Sequence, residues 1–438
     1  MNIDTASRMP DHLPFAQPGH LGKSPVWLDD IRQQAIERFR KDGFPTTKIE
    51  AWKFTNLGPL ARTTFREAID RPALTRADLE PYRLTPDCHL IVFVNGQFRP
   101  DLSALDHIPD GTRVVDSSAA DEDDLRALTA EPAVAEDSRA RTLFDLNTAC
   151  MSGGAVVHLG PGAILDPVQL LFVARPAAEP TAFHLRNLIR ADAGCSATVL
   201  ESYIGLGEGI YWTNAVTQVA VAPNAVLRHY KLQAEAGSAF HVASTSVRLD
   251  HRAAYRLFVA SLGSALGRNE IDLDLAMTDT VARLAGITLA RGAQHLDTTI
   301  RLDHSKPCGT SSQEFKSVVD GRARSVFQGR IRVAPDAQKT DAQQVSRSLL
   351  LSGTAGADTK PALEILADDV KCSHGATIGD LDEDALFYLR ARGVSEPEAR
   401  KMLIDAFIGE LIDRITLDTA RGYFRAAFDR WLSEGSRS

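Results

Sequence analysis

The residues best suited to chemistry lie together in Asp368-Asp369-Val370-Lys371-Cys372-Ser373-His374-Gly375. Thiolate and imidazole are the side chains that hold iron, zinc or persulfide sulfur, and Lys371 and His374 beside the thiol could favour its thiolate. In an extended strand Cys372 and His374 point to the same face, so both could reach one bound atom. Two ligands fall short of the four that a closed metal site takes. Two readings stay open. In one, the set is completed elsewhere, by His304 and Cys308 more than sixty positions earlier or by a second chain. In the other, the pair is a small buried cysteine and a hydrogen-bonded histidine at the end of a β region.

Other chemistries lack an anchor. Gly22-Lys23-Ser24 resembles the end of a phosphate-binding loop, but Gln17 stands where that loop needs its first glycine. The chain should therefore bind and hydrolyse no nucleotide itself. Gly205-Leu206-Gly207-Glu208-Gly209 lies between β segments, with no helix N-terminus to receive a pyrophosphate. Neither a Gly-x-Ser-x-Gly elbow nor a His-Glu-x-x-His helix is present.

The elements that must position the Cys-His pair follow from composition and periodicity. The chain has 438 residues, 44% hydrophobic and 24% charged, with a formal net charge of −8. That length allows two to four structural units around real cores. Mild acidity and scattered basic residues argue against a nucleic-acid partner. No apolar run approaches the roughly 18 residues of a membrane-spanning helix. Met1 to Gly22 has no secretory pattern. Five widely spaced cysteines without a C-x-x-C pair fit a reducing cytoplasm.

Residues 1–140 read as a helical region with short strands and an acidic connector. Trp27 to Lys41 is an amphipathic helix stopped by Gly43 and Pro45, and Leu90 to Val94 is a strand ended by the hairpin dipeptide Asn95-Gly96. Residues 116–141 are Ala-rich and acidic, a solvated helical or mobile connector. Residues 141–360 are all-β, a run of short strands with turn residues between them. Sandwich, barrel and solenoid all remain open on pattern, because no repeat of fixed length is visible. Small residues and even spacing favour the solenoid. Residues 361–438 are helical again. Asp382 caps one helix, Ser395-Glu396-Pro397-Glu398 opens another, and that second helix carries Met402 and Phe407 together with a stripe of Ile404, Ile408, Ile412 and Ile415. Its own domain could cover that stripe, or a partner could.

From Arg301 to Arg414 the sequence resembles the SufB/SufD family of iron–sulfur cluster assembly proteins. The likeness is carried by Asp303-His304, Asp320-Gly321-Arg322-Ala323-Arg324, Phe327-Gln328-Gly329-Arg330-Ile331, Gln338-Lys339-Thr340-Asp341-Ala342-Gln343-Gln344, the Cys372-His374 segment with Gly375-Ala376-Thr377, and Phe387-Tyr388-Leu389-Arg390-Ala391-Arg392-Gly393. Glu50-Ala51-Trp52-Lys53-Phe54-Thr55-Asn56-Leu57 is similar to the family's N-terminal signature, and the wording is that of the SufD branch. The resemblance implies a mainly β fold, a right-handed parallel β-helix flanked by N- and C-terminal helical regions. It further implies a non-catalytic scaffold subunit that pairs with a SufB-like subunit through the β-helix ends and binds a SufC-like ABC ATPase through the C-terminal helices. A cysteine desulfurase system would act through the complex, and a homodimer is an option for the isolated chain. Cys372 and His374 would then face a transient iron or iron–sulfur cluster at the shared interface. Met402, Phe407, Ile404, Ile408 and Ile412 would meet the ATPase. The rival is a self-contained zinc or iron protein using His304, Cys308, Cys372 and His374.

Overall fold

The structure of the chain is a computed structural model that describes residues 25–68, 71–132 and 138–435. The segment Met1 to Gly22, the Gly22-Lys23-Ser24 triplet and part of the acidic connector lie outside the described residues.

From Ala155 to Asp380 the chain winds as a β-solenoid of about seven turns. Each turn lays one strand in each of two parallel sheets, so a strand pairs with the strand two places later. Trp212, Phe240, Leu266, His295, Arg324 and Gly356 stack in register, making successive coils 28, 26, 29, 29 and 32 residues long. Regular rungs built from unequal coils explain why the sequence shows no fixed repeat. One corner recurs from coil to coil up to the last: Gly162, Gly194, Asn224, Arg252, Asp279, Cys308 and Lys339 all have positive φ and stand two residues before a strand. The chain must enter the left-handed region there to turn.

Inside the coil, side chains at alternate positions form one long apolar cluster from Ile91 and Phe93 to Ile331 and Val333. A polar patch interrupts it. The Glu201 carboxylate accepts hydrogen bonds from Tyr203 (2.5 Å) and Thr217 (2.9 Å) and meets His229 Nε2 at 2.9 Å, while His229 Nδ1 lies 2.8 Å from the Tyr255 hydroxyl.

The N-terminal region closes one end and one face of this coil. Helix Val26–Asp42 ends at Gly43, whose φ of 68° only glycine adopts readily. Strand His89–Val94 adds in parallel to Ile164–Ala174, and the Asn95-Gly96 turn returns it to Gln97–Phe98. Arg113–Asp116 pairs antiparallel with Ala155–Leu159 and finishes the other sheet. The described part of the acidic connector is helical and packs by one face, its other face being exposed. Helix Glu122–Leu128 is capped by Asp121, buries Asp124 against Arg113, and seats Leu128 on Val156 and Leu188. Paired charge and a buried leucine order a segment whose composition suggested mobility.

The N-terminal signature is an anchor. The Arg268 guanidinium, fully buried, lies 3.9 Å over the Trp52 ring and donates to the Ala51 carbonyl (2.8 Å), to Glu270 (2.8 Å) and to Asp297. Thr55 also bonds Asp297, and Trp52 donates to the Ala140 carbonyl at 2.8 Å.

At the other end the β region runs through Gly356–Ile365 and Lys371–Asp380, twenty residues past the expected boundary at 360. Helices Glu383–Ala391, Glu396–Ile412 and Asp418–Gly435 then fold back over the outer face of one sheet. Asp382 accepts from the Asp384 and Ala385 amides at 3.0 Å, as its type predicts. Ser395 makes no side-chain cap, and Pro in the first turn starts that helix instead.

Removing the indole should therefore cost more than packing area, since it exposes a buried guanidinium. Trp52→Ala is expected to destabilise the chain by roughly 3–5 kcal/mol in urea denaturation, and Trp52→Phe by clearly less. Equal losses for the two would show that the stacked arginine contributes little.

Candidate functional site

Strands Gly356–Ile365 and Lys371–Asp380 are the outermost of their sheets, and among the described residues nothing pairs beyond them. Nearly every residue of Lys371–Asp380 is exposed. A row of backbone N–H and C=O groups therefore faces solvent along both strands.

Register fixes where the Cys-His pair points. Cys372 stacks on Ala342 and Ser311, and His374 on Gln344 and Gln313; all four supporting residues are buried. Both side chains thus face into the coil, but on its last rung, where the interior is open. Their α-carbons stand about 6.6 Å apart along the strand. Beneath His374 runs a polar ladder: Gln344 Nε2 donates to Gln313 Oε1 at 2.8 Å. The Gln344 Oε1 is buried with no partner among the described residues, one rung below the imidazole. Sequence reading missed this ladder, although glutamines at the His374 parity in the two preceding strands signal it.

Around the pair the core is cut open. Leu363, Val370 and Cys372 pack on the internal apolar cluster from its end, and Ile365 and Ile378 are 41% and 49% exposed.

Burial pushes the Cys372 thiol pKa up, and the Asp341 carboxylate adds to the rise; a backbone hydrogen bond opposes both. The expected help from Lys371 is absent because Lys371 stacks on Asp341, on the outer face. Cys372 is therefore held as a thiol.

His304 and Cys308 do not join this site. They belong to a coil two rungs in from the end, and at about 4.8 Å per rung that distance defeats a single ion. Cys308 is exposed at the left-handed corner before strand Thr310–Val319. His304 is fully buried, 2.9 Å from the Ser311 hydroxyl, and a Cβ on Gly309 would strike its ring. Among the described residues no group of three or more His, Cys, Asp or Glu side chains could enclose a metal ion. The self-contained metal site is not formed.

The C-terminal helices redistribute the expected ATPase contacts. Ile404, Ile408 and Ile412 are 6%, 0% and 1% exposed, packed in the chain's own core with Phe424 and Phe428. They are unavailable to a partner. Met402 stays exposed, and Phe407 is half-buried over the Lys316 ammonium at 5.0 Å. Phe387 and Tyr388 on the preceding helix, 72% and 56% exposed, join the same helical pair as a surface that the stripe argument overlooked. A cavity of about 330 Å³ lies between Leu403, Phe407 and the strand residues Leu349, Thr377 and Ile378.

Residues 172–407 match the SufBD core domain, described as SUF system FeS cluster assembly, and residues 21–170 match the SufBD protein N-terminal region. The chain belongs to the SufB/SufD family, in its SufD branch. It is 31% identical to the iron–sulfur cluster assembly protein SufD of Escherichia coli, covering 92% of this chain and 93% of that protein. A SufBD family protein of Synechocystis is 34% identical over 91% of this chain and 90% of its own length. Protein ABCI7, chloroplastic, of Arabidopsis thaliana is 40% identical over 55% of this chain and 50% of its own. The match to the two family regions spans the whole coil, including the open end and the helix pair that bears Phe387 and Met402.

Burial draws the His304 pKa down from 6.5 to about 4. A histidine held neutral stabilises the fold fully above its ordinary pKa and loses that contribution as pH falls through the lowered one. His304→Gln, which can still bond Ser311, should flatten the loss of unfolding free energy between pH 6.5 and 4 by on the order of 2–3 kcal/mol. Parallel pH profiles for the two proteins would contradict the burial argument.

Proposed function

We propose that this chain is the non-catalytic SufD-like subunit of an iron–sulfur cluster scaffold. It pairs through the open end of its solenoid with a SufB-like coil and carries a SufC-like ABC ATPase on its C-terminal helices. The observation that supports this most is the unfinished end: two exposed edge strands around an exposed section of apolar core. A second parallel coil can supply both the missing backbone partners and the missing hydrophobic cover.

The cargo of such a seam is iron and sulfide. His374 offers an imidazole that can ligate iron or take a proton, and the unpartnered Gln344 oxygen below it is available to accept the ring N–H and orient the other nitrogen. Cys372 contributes its sulfur once iron or a partner's positive charge overcomes the burial that keeps it protonated. Two ligands from this side leave the rest to the partner, with sulfur delivered through the complex by a cysteine desulfurase. Among the described residues no helix is long and apolar enough to cross a membrane.

In the complex co-purified with its SufB-like and SufC-like partners, His374→Ala should lower iron and acid-labile sulfide several-fold, with Cys372→Ser lowering them less. Thermal unfolding of the chain alone should change little, because His374 is exposed and Cys372 only half-buried at the coil's end. Full iron and sulfide content in both variants would leave this subunit only a holding role.

The second half of the proposal has its own readout. Phe387→Asp combined with Met402→Asp should weaken ATPase binding at least about tenfold, measured by calorimetry, since exposed apolar anchors carry most of the affinity of such surfaces. Ile408→Asp should instead unfold the helical region, as its side chain is wholly internal. Undiminished binding by the double variant would place the ATPase elsewhere.

A further inference from the structure

The outer face of one sheet carries a column that the scaffold role does not use. Thr198, Arg228, Arg256, Arg283, Ser312, Gln343 and Ser373 stack in register along the solenoid axis. Three arginines therefore occupy three consecutive rungs, about 4.8 Å apart. Like charges directly opposite on neighbouring strands repel.

Among the described residues the carboxylate diagonal to the column in the sheet, Glu314 beside Ala285, is already taken by Arg347 and Arg414. The outward residues on either side are Val226, Ala254 and Val281 toward the corner, and Tyr230, Phe258 and Ala285 toward the C-terminal helices, all uncharged. Arg228 reaches only the Ser196 hydroxyl, at 3.4 Å. Among the described residues none of the three arginines forms an ion pair. The corner carboxylates turn elsewhere: Asp250 accepts the His251 amide, and Asp279 lies 3.9 Å from the His251 ring. On the closest covering helix, Arg421 and Arg425 pair with Asp418 and Asp405.

The same molecule supplies the contrast. Elsewhere on the coil, outward arginines are matched across a rung: Arg248 with Asp274 at 2.7 Å, Arg301 with Asp272 at 2.6 Å, Arg330 with Asp303 at 3.3 Å and Arg347 with Glu314 at 3.1 Å. A coil that neutralises its arginines by rung pairing leaves these three stacked on one another.

We infer that the Arg228-Arg256-Arg283 ladder is a docking surface for an acidic helix of a partner protein, laid along the solenoid axis. Spacing selects the helix. Two rungs span about 9.6 Å, and carboxylates at i, i+4 and i+7 of a helix span about 10.5 Å at neighbouring spacings of about 5–6 Å. An extended peptide, with same-face side chains about 6.7 Å apart, drifts out of step with the rungs. A nucleic-acid backbone is disfavoured by the net charge of −8 on the whole chain.

The test uses the full chain and two labelled synthetic helical peptides of about 20 residues, identical in composition. One carries Glu at i, i+4 and i+7 on one face, and the other has the same residues spread around the helix. By fluorescence anisotropy at low salt the one-faced peptide should bind at least about tenfold more tightly than the spread one. Arg228→Gln/Arg256→Gln/Arg283→Gln should abolish that difference. Without peptide, the triple variant should unfold at the same temperature or higher, because removing mutual repulsion relieves the coil. A lower unfolding temperature would show that the arginines are satisfied within the fold and would overturn the proposal. Equal binding of the spread peptide, or of a short duplex DNA, would do the same by reducing the ladder to a patch of undirected charge.

Discussion

A coil of parallel strands satisfies its backbone internally everywhere except at its two ends, and that one constraint organises this molecule. Each terminal strand must present unpaired N–H and C=O groups to something. At the N-terminal end the chain supplies the cover itself, with His89–Val94 and its hairpin on one sheet and Arg113–Asp116 on the other. At the C-terminal end none of the described residues does so; after Asp380 the chain turns away and runs back over an outer face. The helices that could have capped the opening are used to cover Leu200, Tyr230 and Phe258 instead. Pro361, without an N–H, is the single interruption in an otherwise regular edge.

The two outer faces are closed by different means. The N-terminal region is held by a buried charge: Arg268 could not stay ionised inside without Asp297, Glu270, the Ala51 carbonyl and the face of Trp52 together. The C-terminal helices are held mainly by apolar area, chiefly Ile408, Leu411, Phe424 and Phe428, with the buried Lys316 donating to the Phe407 carbonyl at 2.8 Å and pairing with Glu410.

Much of this was legible in the residues, and the failures have physical causes. Asn95-Gly96, Gly43 and Asp382 each specify local backbone, and each element formed where expected. Coil number and register were hidden, because corners of unequal length erase the sequence period while leaving the spatial one intact. Resemblance supplied the solenoid that periodicity left open. Several motif residues proved to be corner chemistry: Gly321 and Lys339 take positive φ, and Gly329 is small because the Gln344 amide lies where a Cβ would go. For the candidate site, residue type singled out Cys372 and His374, which register places on one face of the last rung, but grouped His304 and Cys308 with them, since sequence carries no information on which rung a residue occupies. The isoleucine stripe misled for a related reason: a helix apolar on two sides announces that both are covered, not by what.

The interior distinguishes a finished polar group from an unfinished one. Glu201 is wholly buried, and burial alone would raise its pKa, yet His229, Lys231 and Tyr203 together draw it down to about 2. Every acceptor it offers there is used within the chain, so the carboxylate stays charged and the coil is complete around it. At the open end the same kind of column, Gln313 to Gln344 to His374, stops with a buried oxygen still unpartnered. Native interiors rarely leave such an atom without reason. Other buried atoms without a partner among the described residues, such as Gln313 Nε2 and Asn269 Oδ1, lie where the backbone ladder is complete; at the last rung backbone, apolar core and side-chain polarity are left unfinished together. Three independent shortfalls at one edge are what a surface built to be completed by another molecule should show.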